Sequence, residues 1–145
     1  MKKFTLIILL ITTSICIYGQ SRQDQAQILQ QCIDLPELQQ YFPIGNDATP
    51  KQICILQHGV SFPSAIEAAK FGKSVQLMDK KQLSESGTNS YFLFWEFKTD
   101  QNAAHVDFVY NYIGSDSQPK MQRVILELQK RGEVWIVVKT NIEEK

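Results

Sequence analysis

Histidine, cysteine and glycine are scarce in this chain of 145 residues, and their scarcity removes most recognisable chemistries. The two histidines, His58 and His105, lie 47 positions apart. They form no HxH, HExxH or Cys/His spacing, so neither zinc nor another metal is expected. Three cysteines are present without a CxxC pair, which argues against thiol–disulfide exchange as an activity. Seven glycines stand singly at positions that suit turns, and none builds a loop able to cradle a phosphate. Ser61, Ser64 and Ser84 lack the GxSxG context of a nucleophile elbow. There is no basic patch and no long run of one sign, so a nucleic-acid partner is not expected. No cofactor is implied by any of these patterns.

What is present begins with a leader. Lys2 and Lys3 precede an almost unbroken apolar stretch, Phe4 to Ile17, and Tyr18-Gly19-Gln20 places a small residue where a signal peptidase cuts. The apolar stretch is roughly 14 residues, short of the ~20 that span a bilayer as a helix. Residues 1–19 therefore read as a signal peptide, and 20–145 as one exported domain, periplasmic or secreted. Two alternatives use the same segment: a retained anchor, and a lipoprotein attached through Cys16, although Ile15 is bulky where lipoprotein signals carry a small residue. Loss of Lys2 and Lys3 leaves 13 basic against 15 acidic side chains, with no further apolar stretch of membrane length. Cys32 and Cys54 then remain. In an oxidising compartment they are a candidate disulfide, whose loop closure is worth roughly 3 kcal/mol. Two reduced, buried thiols are the alternative.

Along the mature chain, Ala26, Leu29, Cys32 and Ile33 recur at helical spacing and predict a helix over 21–33. Asp34, Pro36 and Glu37 suggest a capping box opening a second short helix, with Leu38, Tyr41 and Phe42 inward and Pro43 ending it. Residues 44–51 read as a loop and Ile53–Leu56 as a buried strand. Ser64–Phe71 reads as one or two helical turns closed by Gly72, Ser74–Met78 as a strand, and "DKKQLSESGTN" as a solvated connection. Four strands follow in succession: 91–99, 103–113, 122–130 and 133–142, the last two joined by Arg131-Gly132. Helices first and an antiparallel meander last make an α+β fold, with N-terminal helices packed on a curved antiparallel sheet.

This order of elements, closing on "ILELQKRGEVWIVVKTNI" at 125–142, resembles the NTF2-like (cystatin-like) α+β superfamily and small exported bacterial domains of that layout. The resemblance implies a curved sheet with a helix-lined pocket. It implies no particular activity, because that superfamily holds isomerases, dehydratases and many non-catalytic binding domains.

Residues 90–112 place eight aromatic side chains in 23 positions. With Gln101-Asn102 as turn residues, Trp95 opposes Phe108, Phe97 opposes Val106, Leu93 opposes Tyr110 and Tyr91 opposes Tyr112, all on one face. That face reads as core. The other face carries Glu96 against Asp107 and Lys98 against His105, with Phe94 against Val109 and Phe92 against Asn111. In the last hairpin the same construction sets Leu128 against Trp135, Leu126 against Val137 and Lys130 against Glu133.

Phe92, Phe94, Val109 and Ile113, beside charges, are on this reading the candidate binding surface. The function expected is an exported, non-catalytic domain of the cell envelope that binds a protein, a peptide or a small apolar ligand. A homodimer is among the partners left open. One alternative is a pocket enzyme of isomerase, dehydratase or hydrolase type, using His105 and Asp107 with Glu96 as acid–base groups. Another is a secreted inhibitor or immunity protein. His58 reads as an exposed loop residue.

Overall fold

The structure is a computed structural model in which residues 22–145 are described. The expected signal peptide, with Cys16, and Ser21 lie outside the described residues. Helix α1 spans 22–33. It buries Ile28, Leu29, Cys32 and Ile33 completely, the three-and-four spacing of an amphipathic stripe. The next segment is a 3-10 helix, Pro36–Tyr41, and not an α-helix. Its N-cap is Leu35, with no side-chain cap. The expected capping box fails because Asp34 is engaged elsewhere, accepting from Gln30 Nε2 at 2.8 Å and Lys70 Nζ at 2.6 Å. Leu38 and Phe42 still point inward.

The strands are β1 (Cys54–Leu56), β2 (Ala69–Lys70), β3 (Lys73–Ser74), β4 (Gln76–Met78), β5 (Tyr91–Thr99), β6 (Ala103–Ile113), β7 (Pro119–Arg131) and β8 (Val134–Glu144). Six of them form one sheet in the order β4-β1-β5-β6-β7-β8. The meander β5–β8 is antiparallel, as the sequence implies. The sheet as a whole is mixed, because β1 runs parallel to both β4 and β5. No helix among the described residues is long and apolar enough to cross a membrane.

Two local expectations are corrected. Ser64–Phe71 is not helical: its end joins the two-stranded hairpin β2–β3, which turns on Phe71 and Gly72, both at positive φ (55° and 72°). Gly72 thus serves a primed-type hairpin turn and not a helix end. The "solvated connection" contains helix α2, Lys80–Ser86. Asp79 and Gln82 exchange the two bonds of a capping box, and Gly87 closes the helix at φ 68°. The Asp-x-x-Gln…Gly signal was present in the sequence without an apolar face to announce it.

The aromatic hairpin differs most. From Glu96 onward the register is the one expected: Glu96 opposes Asp107, Phe97 opposes Val106 and Lys98 opposes His105. Before it, a β-bulge between Phe94 and Glu96 shifts the pairing by one residue, so that Phe94 opposes Phe108 and Phe92 opposes Tyr110. Every side chain N-terminal to the bulge changes face. Phe92 and Phe94 are fully buried beneath α1, whereas Trp95 is 54% exposed on the opposite face. Tyr91 and Leu93 join a smaller outer cluster with Leu56, Val109 and Leu83.

The bulge has a buttress. Val60 N–H donates to the Phe94 carbonyl at 3.3 Å, and Phe62 packs edge-on against Phe94 and Phe97. Gly59 sits at φ 84°, where a Cβ would lie 3.1 Å from that carbonyl oxygen. Glycine is what allows the loop to approach.

In the last hairpin the turn residues are Gly132-Glu133, with Arg131 opposing Val134. Gly132 takes φ 62° at the first central position. Trp135 consequently faces Lys130 and not Leu128, and Leu128 faces Val137. Lys130 pairs with Asp24 of α1 at 2.9 Å and not with Glu133.

Candidate functional site

One face of the sheet is filled by α1, the 3-10 helix and the loop bearing Phe62, which together close over the phenylalanines of β5 and β6. Functional side chains are therefore sought on the other face and at the ends of the strands.

On the outer face of β5–β8, alternation projects Trp95, Glu96 and Lys98 from β5, His105, Asp107 and Val109 from β6, and Arg123 and Glu127 from β7. The three acid–base candidates, Glu96, His105 and Asp107, are thus neighbours, as the sequence implied. What they bond decides their character. Asp107 is 9% exposed and accepts twice from Arg123, from Nε at 3.2 Å and from the terminal nitrogen at 2.7 Å. A carboxylate so engaged has both oxygens occupied. His105 Nδ1 lies 2.7 Å from Glu127 Oε1, and Nε2 lies 3.6 Å from Glu96 Oε2. Glu96 is also paired with Lys98. Lys98, and then the neighbouring His105, hold the Glu96 carboxyl below its ordinary range. The set forms a ladder of opposite charges on the outer face, and its His105 end borders a pocket of about 210 Å³ together with Lys98 and Glu127. Among the described residues no group of three or more His, Cys, Asp or Glu side chains is arranged to hold a metal ion.

Beside this ladder lies a groove of about 540 Å³ lined by Tyr91, Leu93, Trp95, Val109 and Met121, with Asp107 and Arg123 at its polar side. Trp95 is its most exposed ring, and Met121 is 37% exposed. Of the residues expected to form a binding surface, Val109 takes part in the floor of this groove. Phe92 and Phe94 do not: the bulge has turned them into the core. Ile113 stands 41% exposed at the far end of β6.

Ile113 borders a second, larger cleft of about 720 Å³ with Tyr41, Phe42, Cys54, Thr88, Ser90 and Tyr112 among its walls. Burial raises the Cys54 thiol and the Tyr41 hydroxyl above their ordinary values, away from neutrality. Neither is poised as a nucleophile or base. Cys32 and Cys54 are both buried free thiols. Cys32 belongs to the cluster beneath α1. Ile55 belongs to that cluster too, so alternation along β1 turns Cys54 to the other side of the sheet. The two sulfurs are not bonded to each other in this arrangement. His58 is exposed in its loop.

Sequence reasoning missed Trp95, Arg123 and Glu127 as members of the outer face. The signal for Trp95 was available in the spacing of Phe92, Phe94 and Phe97, which a regular strand cannot put on one side together. Arg123 and Glu127 were legible from their alternation with Val124, Leu126 and Leu128 on β7.

No family model, no curated protein and no solved structure matches the chain.

Proposed function

We propose that the protein is an exported, non-catalytic binding domain that holds a protein or peptide partner on the open face of its sheet, with Trp95 as anchor. The observation carrying this reading is the bulge that holds an indole 54% exposed over an apolar groove instead of in the core. Tryptophan, tyrosine, methionine and arginine are the residues enriched where binding energy concentrates, and Trp95, Tyr91, Met121 and Arg123 meet at this groove. A partner offering an apolar side chain to the groove and a polar edge to the charged ladder matches both halves of the surface. Export rests on the leader at 1–19. The non-catalytic reading is supported by the Arg123 fork that engages both oxygens of Asp107 and by Glu127 at His105 Nδ1. The NTF2-like affiliation belongs to the same proposal, supported by a helix lying on the aromatic face of a sheet that ends in four long antiparallel strands.

A photo-crosslinking residue at position 95 tests the reading in intact cells, with Glu67, exposed on the other side of the molecule, as control position. The expected result is a discrete adduct at 95, absent at 67 and lost on Met121→Asp. No adduct at 95, or the same adducts at both positions, would refute the proposed surface.

A further inference from the structure

The two edges of the sheet are unlike. β4 is three residues long and passes directly into α2, whereas β8 runs for eleven residues with no strand beyond it among the described residues. A long open edge offers unpaired main-chain donors and acceptors to another strand. Its polarity can be read from the pairing with β7. Met121 and Lys145 exchange both main-chain bonds, at 3.2 and 3.1 Å. In antiparallel alternation Glu143, Asn141 and Lys139 then also bond inward to β7, and Glu144, Ile142 and Thr140 point outward. At the other end of β8 the outward N–H of Trp135 is covered, since it donates to Gln27 Oε1 of α1 at 3.3 Å. The edge that remains open is therefore the half from Val138 to Glu144.

We propose that this half-edge pairs antiparallel with the same segment of a second copy, with Asn141 on the two-fold axis. In that register Thr140 of each copy exchanges main-chain bonds with Ile142 of the other, which is the pairing that the outward-pointing groups permit. The same register sets Lys139 directly opposite Glu143 of the second copy, twice by symmetry, in the closely spaced non-hydrogen-bonded positions. Hydrogen-bond parity admits only registers with the axis through a residue, and among these charge complementarity selects the one centred on Asn141. Lys139 makes no ion pair with any described residue, and Glu143 has only a 4.0 Å contact with Arg123. Both are exposed and free to turn toward the partner. An isologous contact of this kind closes on itself and leaves no edge for a third copy. It uses the main chain of β8 and not Trp95, and it adjoins the groove only at Arg123 and Lys145.

Sedimentation equilibrium on the purified protein tests the pairing. The expected result is a dimer. Lys139→Glu should raise its dissociation constant about tenfold, because like charges then oppose each other at two positions. Lys139→Glu combined with Glu143→Lys should restore the original value. Thr140→Pro removes an outward N–H without touching a β7 bond, and should give a monomer. Lys139 also stands opposite Glu127 and Glu143 opposite Arg123 on β7, so urea unfolding of each charge variant is measured alongside, and an unchanged midpoint assigns the shift in dissociation constant to the interface. A monomer up to millimolar concentration would overturn the pairing. So would a dimer indifferent to Thr140→Pro, or a double reversal that fails to recover what the single one lost.

Discussion

The protein's two tryptophans occupy adjacent hairpins of one sheet and meet opposite fates. Trp135 on β8 is fully buried. Its indole N–H donates to Asp24 Oδ1 of α1 at 2.9 Å, and the same oxygen receives Lys130. Trp95 on β5 is 54% exposed. Both hairpins contain a bulge, between Phe94 and Glu96 in one and between Glu127 and Leu128 in the other. Residue type therefore does not decide which indole is buried. The difference lies in what competes for the inner face. In β5 a regular strand would place either Trp95 with Phe97 inside, or Phe92 with Phe94. The bulge admits Phe92, Phe94 and Phe97 together and gives up Trp95. The bulge also moves Tyr91 and Leu93 to the outer cluster, where Leu93 stays buried, so of the large hydrophobic side chains of β5 Trp95 is the one left mostly exposed. In β8 no such rivals exist, and α1 supplies both volume and a hydrogen-bond acceptor for the indole.

The comparison breaks most visibly at the rings themselves. Phe94→Ala and Trp135→Ala should each lower stability by about 3–5 kcal/mol in urea unfolding, whereas Trp95→Ala should change it by no more than about 0.5 kcal/mol. Removing the acceptor is the next test. Asp24→Ala strands a buried indole N–H and the Lys130 ammonium, and should cost about 1–3 kcal/mol by the same measurement. Gly59→Ala then probes the buttress of the bulge. At φ 84°, with a Cβ 3.1 Å from the Phe94 oxygen, it should lower stability by about 1–2 kcal/mol.

The smallest expected effect is a pH slope. Burial raises the folded-state pKa of both Cys32 and Cys54. A raised pKa contributes stability that is complete below the unfolded thiol value of about 8.5 and is lost as pH rises above it. Stability should therefore fall between about pH 8.5 and 10, and a Cys32→Ala/Cys54→Ala variant should show a shallower fall in a thermal-melt series.

Much of this was legible in the sequence. Alternation gave the four long strands, the α+β class and the outward set of Glu96, Lys98, His105 and Asp107, because Val106, Phe108 and Tyr110 fix the face of β6 with no rival pattern. The β5 register was legible only from Glu96 onward. A bulge is selected by tertiary competition among Phe92, Phe94, Phe97 and Trp95, together with a loop from residues 57–62 that no local pattern connects to β5. The parallel placement of β1 was likewise hidden, since "CIL" is apolar on both sides and carries no direction. Helix α2 escaped because its stabilisation is in its caps and not in an apolar face; it buries no residue completely. Asp34 shows the converse, a local capping signal overridden by Gln30 and Lys70.

The central claim is that the β5 bulge turns Trp95 outward and Phe94 inward, and it is tested most directly by two single-tryptophan variants. Trp135→Phe leaves Trp95 as the one fluorophore, and Trp95→Phe leaves Trp135. With acrylamide as quencher in the folded state, Trp95 should be quenched nearly as readily as in the unfolded chain and emit at long wavelength, while Trp135 should be protected and blue-shifted. A protected, blue-shifted Trp95 would mean that the strand runs without the bulge, and the assignment of the outer face would fail with it.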